Sequence, residues 1–141
     1  MVSHRTTSVE RIPVPAVRRR TVLVLDDDRD VAQTIKDVIE DQGYRAICVG
    51  NGREALAVLE EEHPDLMLID VFMPVMNGVE FLKVIKNNAL LSTIPRVIMT
   101  AANDRMIGVK EDVSVIYKPV DFDALKRLLH KYCEAAPALP R

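Results

Sequence analysis

This chain has no tryptophan, and aromatic residues make up only 4% of its 141 positions. Any core must therefore be built from Val, Ile, Leu, Met and Ala. No stretch approaches the roughly 18 consecutive apolar residues of a membrane-spanning helix, so no membrane span is expected. The N-terminal stretch holds Arg5 and Arg11 without the apolar segment of a secretory signal. Cysteine is scarce as well, with only Cys48 and Cys133. Two isolated thiols without Cys-x-x-Cys spacing speak against a disulfide framework or a zinc site and for a reducing cytoplasm. Gly50 and Gly52 lack the third glycine of a dinucleotide-binding turn, and no Gly-x4-Gly-Lys loop is present. His4, His63 and His130 stand alone, without metal-ligand spacing. Met73, Met76, Met99 and Met106 read as packing rather than as a binding stripe.

What is present suits one soluble globular domain: 48% apolar and 28% charged residues. The net charge of −2 is uneven. Residues 1–20 carry five arginines (5, 11, 18, 19 and 20) against Glu10, which is +4; the remaining 14 basic and 20 acidic residues give −6. Pro13 and Pro15 interrupt this arm and no period runs through it, so residues 1–20 read as a flexible basic tail. Five arginines without interleaved aromatics are a weak nucleic-acid signal, and no direct nucleic-acid contact is expected.

From Thr21 the pattern alternates. Val22 to Leu25 is a short apolar run that ends in Asp26-Asp27-Asp28. Val31, Ile35, Val38 and Ile39 then mark one face of a helix closed by Gly43. Tyr44 to Val49 reads as an edge strand, and Asn51 with Glu54 as a capping box opening a helix that Pro64 ends. Leu66 to Ile69 is a continuous apolar run, the signature of a strand buried on both faces, and it delivers Asp70. Gly78 leads a helix with Phe81, Leu82 and Ile85 inward. Pro95 to Thr100 is a fourth strand, and 103–109 leaves room for only about two helical turns. Val113 to Tyr117 is a fifth strand, followed by Lys118-Pro119. Asp121 caps a last helix with Leu125, Leu128, Leu129 and Tyr132 on one face. Five strands alternating with five helices mean an α/β fold, a doubly wound parallel sheet in three layers.

The chemistry collects at the strand ends. In a parallel sheet, Asp26, Asp27, Asp70, Thr100 and Lys118 fall on one rim, where such folds keep their ligands. Carboxylates crowded together repel one another unless a cation joins them. Mg²⁺ suits an all-oxygen donor set. A metal, an ammonium, a hydroxyl and a nucleophilic carboxylate are the parts that phosphoryl transfer needs.

Asp26-Asp27, Asp70 followed by Met73-Pro74 and Gly78, Thr100-Ala101 and Lys118-Pro119 together closely resemble the receiver domain of bacterial two-component response regulators. The resemblance covers residues 21–134, leaving 135–141 as a C-terminal tail. It implies the flavodoxin-like (βα)5 fold with strand order 2-1-3-4-5 and a cis bond before Pro119. It also implies roles: Asp70 as phosphoacceptor; Asp26, Asp27, Asp70 and the backbone carbonyl of Phe72 around Mg²⁺; Thr100 on a phosphoryl oxygen; and Lys118 paired to the acyl phosphate. The phosphoryl donor would be a sensor histidine kinase or histidine phosphotransfer protein, and the output a changed affinity for another protein. Asp28 is left to cap the first helix.

Two departures accompany the resemblance. Receivers usually carry Tyr or Phe three residues before the lysine, where this chain has Val115; Tyr117 points to the same side by strand alternation and is the candidate replacement. The stretch from Thr100 to Lys118 is also short, which truncates the fourth helix. Phe72, at the mouth of the site, offers no hydrogen bond to a hydrolytic water, so slow phosphate loss is expected. Two other functions stay open here. Asp28-x-Asp30 faintly resembles the motif of Asp-nucleophile phosphatases, although Asp70 would then be unexplained. A degenerate receiver that only makes contacts is the other, and the intact Asp, Thr and Lys set argues against it.

Overall fold

The computed structural model describes residues 19–101 and 114–134. Its strands are β1 (Thr21–Leu25), β2 (Arg45–Val49), β3 (Leu66–Asp70), β4 (Arg96–Ala101) and β5 (Ser114–Lys118). They pair in parallel in the order β2-β1-β3-β4-β5, the expected one. Helices α1 (Arg29–Asp41), α2 (Gly52–Leu59), α3 (Gly78–Lys86) and α4 (Phe122–Leu129) connect and flank them, with a 3-10 turn at Leu91–Thr93 and a π-helical turn at His130–Glu134. The helix expected at 103–109 and the tail residues 1–18 and 135–141 lie outside the described residues.

Strand alternation divides the core. Val22, Val24, Leu66, Leu68, Val97, Met99 and Ile116 face one way and pack with Ile35 and Ile39 of α1 and Leu125 and Leu129 of α4. Leu23, Leu25, Met67, Ile69 and Ile98 face the other way and pack with Ala55 and Leu59 of α2 and Phe81, Leu82 and Ile85 of α3. β1 and β3 are therefore buried along their whole length, as their unbroken apolar runs require. Each fully buried Leu or Ile side chain contributes roughly 1.5–3 kcal/mol relative to exposure, so two apolar layers dominate the stability of the fold.

Helix starts match the capping expectations with one correction. Asp28 Oδ1 accepts from the amides of Asp30 and Val31, and Asp121 Oδ1 caps α4 through Asp123 and Ala124. At α2, Asn51 Oδ1 accepts from Glu54 N as expected. Glu54, however, does not reach back to the Asn51 amide; its carboxylate takes the amide of Gly50 at 2.8 Å. Asn51 has φ −162 where Asn77 has φ −80, and with that entry the amide that Glu54 meets is the one before the cap. The reciprocal capping box sits instead at α3, where Asn77 and Glu80 exchange both bonds.

The sheet's other rim also corrects the boundary of the basic tail. The expected tail runs through residue 20, yet Arg45 N donates to Arg20 O at 2.8 Å and Arg20 Nη1 lies 3.6 Å from Asp65 Oδ1. Arg19 Nη2 donates to Tyr44 O. Both arginines thus bond to the folded body.

Candidate functional site

Strand alternation, continued past the strand ends, assembles the site. Val22 and Val24 lead to Asp26, Leu68 to Asp70, and Ile116 to Lys118, all on the sheet face covered by α1 and α4. Asp26 extends the β1–β2 ladder by donating its amide to Val49 O at 3.0 Å, and Val71 N to Met99 O prolongs the β3–β4 pairing. Side chains from three separate strands therefore meet.

Lys118 Nζ lies 2.9 Å from Asp26 Oδ2 and 3.3 Å from Asp70 Oδ2. The other oxygen of each carboxylate accepts a backbone amide: Asp26 Oδ1 from Asp28 N at 2.9 Å, and Asp70 Oδ1 from Phe72 N at 3.3 Å. Asp26 and Asp70 are buried, whereas Asp27 is exposed. Burial raises the Asp70 carboxyl above its ordinary range and the charge of Asp26 adds to that, while Lys118 opposes both. For Lys118, burial alone would lower the ammonium's pKa. The hydrogen bond to Asp26 and the charges of Asp70 and Asp26 outweigh it and hold the group above its usual value.

One carboxylate oxygen each from Asp26, Asp27 and Asp70 lies within 4.8 Å of the others. Three carboxylates against one ammonium leave two negative charges, the charge of one divalent cation. An all-oxygen set of that charge, partly open through Asp27, fits a hard ion that keeps several waters. The peptide link Lys118–Pro119 is cis, as expected.

The remaining candidates sit around this cluster. Thr100 is buried on β4, one residue past Met99, the register partner of Asp70. The Phe72 ring is exposed at the mouth, and Asp70 O approaches so close to Gly78 that a Cβ there would lie 2.4 Å from it. That contact explains why α3 must open on glycine. Val115 packs partly buried against the α2/α3 core, whereas Tyr117 is exposed and stands beside Thr100 in register. No sequence pattern marks Val75, which has φ 67 and whose flanking residues close a tight turn, Met76 N to Pro74 O.

Residues 22–130 match the family described as the response regulator receiver domain. The chain belongs to that family. The receiver is 35% identical over 120 residues to an uncharacterized 14.6 kDa protein in the sodA1 3′ region of Leptolyngbya boryana, covering 82% of this chain and 92% of the relative. It is 32% identical over 126 residues to the transcriptional regulatory protein CrdR of Helicobacter pylori, covering 84% of this chain; it spans 57% of CrdR, little more than half of that relative's length. The solved receiver domain of sensor histidine kinase PA1611 from Pseudomonas aeruginosa PAO1, described with a magnesium ion coordinated in its active-site cleft, has a similar fold. It shares a TM-score of 0.74 at 23% identity, covering 82% of this chain and 98% of that one. The receiver thus belongs to two-component phosphorelay signalling. A phosphatase scaffold is set aside: Asp28 and Asp30, which suggested one, are the cap and first turn of α1. Among the described residues no helix is long and apolar enough to cross a membrane.

Proposed function

We propose that Asp70 accepts a phosphoryl group from the phosphohistidine of a sensor histidine kinase or histidine phosphotransfer protein, and that the acyl phosphate changes the affinity of the receiver for a further protein. The single observation that carries this reading is the Asp26–Lys118–Asp70 constellation with Asp27 beside it. An Asp70 oxygen attacks phosphorus; an O–P bond forms as the P–N bond breaks, and the leaving imidazole nitrogen keeps the electron pair. Lys118 is poised to neutralise charge on the phosphoryl oxygens, and Thr100 is the hydroxyl assigned to one of them. Asp26, Asp27, Asp70 and the backbone carbonyl of Phe72 would hold Mg²⁺. When bound, that ion supplies positive charge against the phosphoryl oxygens. Burial raises the Asp70 carboxyl above its ordinary value against the pull of Lys118, and a more basic oxygen is a stronger nucleophile once ionised.

The protein's own chemistry in this reading is self-phosphorylation and slow hydrolysis of the acyl phosphate, not turnover of an external substrate. The two free thiols, Cys48 and Cys133, suit action in the cytoplasm. Acetyl phosphate with magnesium should add one phosphoryl mass to the chain, mapped to Asp70 and lost in Asp70→Asn. An unchanged mass, or a phosphate on another residue, overturns the assignment. Failure of beryllofluoride to bind with magnesium would favour the contact-only receiver instead.

A further inference from the structure

The loop that follows Asp70 is held against a second helix. Gly52 N, at the start of α2, donates to Met76 O at 2.9 Å. The Met76 side chain lies so close over Gly52 that a Cβ there would be 2.7 Å from Met76 Cγ. The same loop carries Val75 at φ 67, a β-branched residue in the left-handed region, where such residues are seldom found. Strained backbone of this kind persists only where surrounding contacts impose it, and it clusters at ligand clamps and switch regions. The contacts here are Gly52 with Met76 on one side and Gly78 N to Val71 O on the other.

The start of α2 also leans on the opposite side of the acidic cluster. Glu54 holds the amide of Gly50, and Gly50 is packed so that a Cβ on it would lie 3.9 Å from Asp27 Cα. A cavity of about 480 Å³ is lined by Asp26 and Asp27 from one side, Asn51 and Glu54 from α2, and Pro74 from the acceptor loop. Gly50–Glu54 therefore borders both arms of the metal site: it shares the cavity with Asp26 and Asp27 of the β1 arm, and Gly52 contacts Met76 of the β3 arm.

We propose that the acceptor loop and the N-terminus of α2 move as one unit, so that loading of the acidic site is relayed through Met76 and Gly52 to the surface at Asn51–Glu54. This rests on the assignment of Asp70 as acceptor and adds the route by which its state is read. A ligand shifts an equilibrium only through contacts that differ between its two states. The differing contact here is the Met76–Gly52 clasp, tightened or released as the strained turn at Val75 adjusts to the occupied site.

The test uses the full chain, isotope-labelled, with its amide spectrum followed on addition of magnesium and beryllofluoride. In the wild type, amides of Gly50 to Glu54 are expected to shift together with those of Asp26, Asp27 and Phe72. Met76→Ala should cut the α2 shifts by at least half while the site amides still respond and acetyl phosphate still adds its mass. Gly52→Ala, which displaces Met76 without opening a cavity, should do the same, so the test does not depend on one variant folding. Silent α2 amides beside responding site amides, or α2 shifts retained in both variants, overturn the relay alone. Silence at the site together with no mass gain overturns the acceptor assignment and the relay with it.

Discussion

Lys118 and Asp26 are 92 residues apart in the chain, and their side chains meet at 2.9 Å. The same ammonium reaches Asp70 at 3.3 Å, so one cation separates two buried carboxylates. Removing one partner of a buried pair leaves an uncompensated charge and costs roughly 3–5 kcal/mol. Lys118→Met is expected at the low end of that range, about 3 kcal/mol by urea denaturation, because the lysine is 24% exposed. Magnesium should recover part of the loss.

Asp70 has the opposite sign. Its carboxyl is raised above its ordinary value in the fold by burial, so the unfolded chain ionises first as pH climbs. Its contribution is greatest below the unfolded value of 3.8 and falls away as pH rises through the folded one. In metal-free buffer, Asp70→Asn should be more stable than wild type at neutral pH, with a flatter stability profile between pH 4 and neutrality. An identical profile would mean that the acidic cluster is not under electrostatic stress.

Magnesium alone should stabilise the wild type by about 1.4 kcal/mol at ten times its dissociation constant. Asp27→Ala should remove most of that gain while changing the metal-free stability little, since Asp27 is exposed. Thermal melts with and without the ion separate the two effects.

Val75→Gly relieves a positive φ at a strained residue, worth about 1–3 kcal/mol, against the roughly 0.5–1 kcal/mol entropic cost of glycine. A net stabilisation on the order of 1 kcal/mol is expected in denaturant titrations. Destabilisation would show that the valine side chain makes contacts that outweigh the strain.

Phe72→Asn places a hydrogen-bonding amide at the open mouth of the site, where the ring is 59% exposed. One added hydrogen bond to the attacking water is worth about 0.5–1.4 kcal/mol, so phosphate loss should accelerate roughly two- to tenfold. An unchanged rate leaves the ring without influence on hydrolysis.

Much of the site was legible because strand ends in a parallel sheet converge by rule. Asp26, Asp70 and Lys118 each close an apolar run, and period-two alternation sends all three to one face. The capping of α1 and α4 by Asp28 and Asp121 was legible for the same kind of reason, since the bonds span only two or three residues. The partner of Glu54 is not legible locally, because Asn51-Gly-Arg-Glu54 and Asn77-Gly-Val-Glu80 carry the same pattern, and only the backbone entering each helix decides which amide the glutamate meets.

What the sequence determined by itself is therefore the order of strands and helices, the parallel sheet and the rim on which its charged residues meet, because hydrophobic periodicity and local capping are short-range. The tertiary structure decided which groups touch. It set Lys118 between Asp26 and Asp70, drew Glu134 of the last turn onto Tyr44, and seated Met76 on Gly52. Each of those contacts joins elements brought together only by packing of the whole sheet, and no local pattern encodes the distance between them.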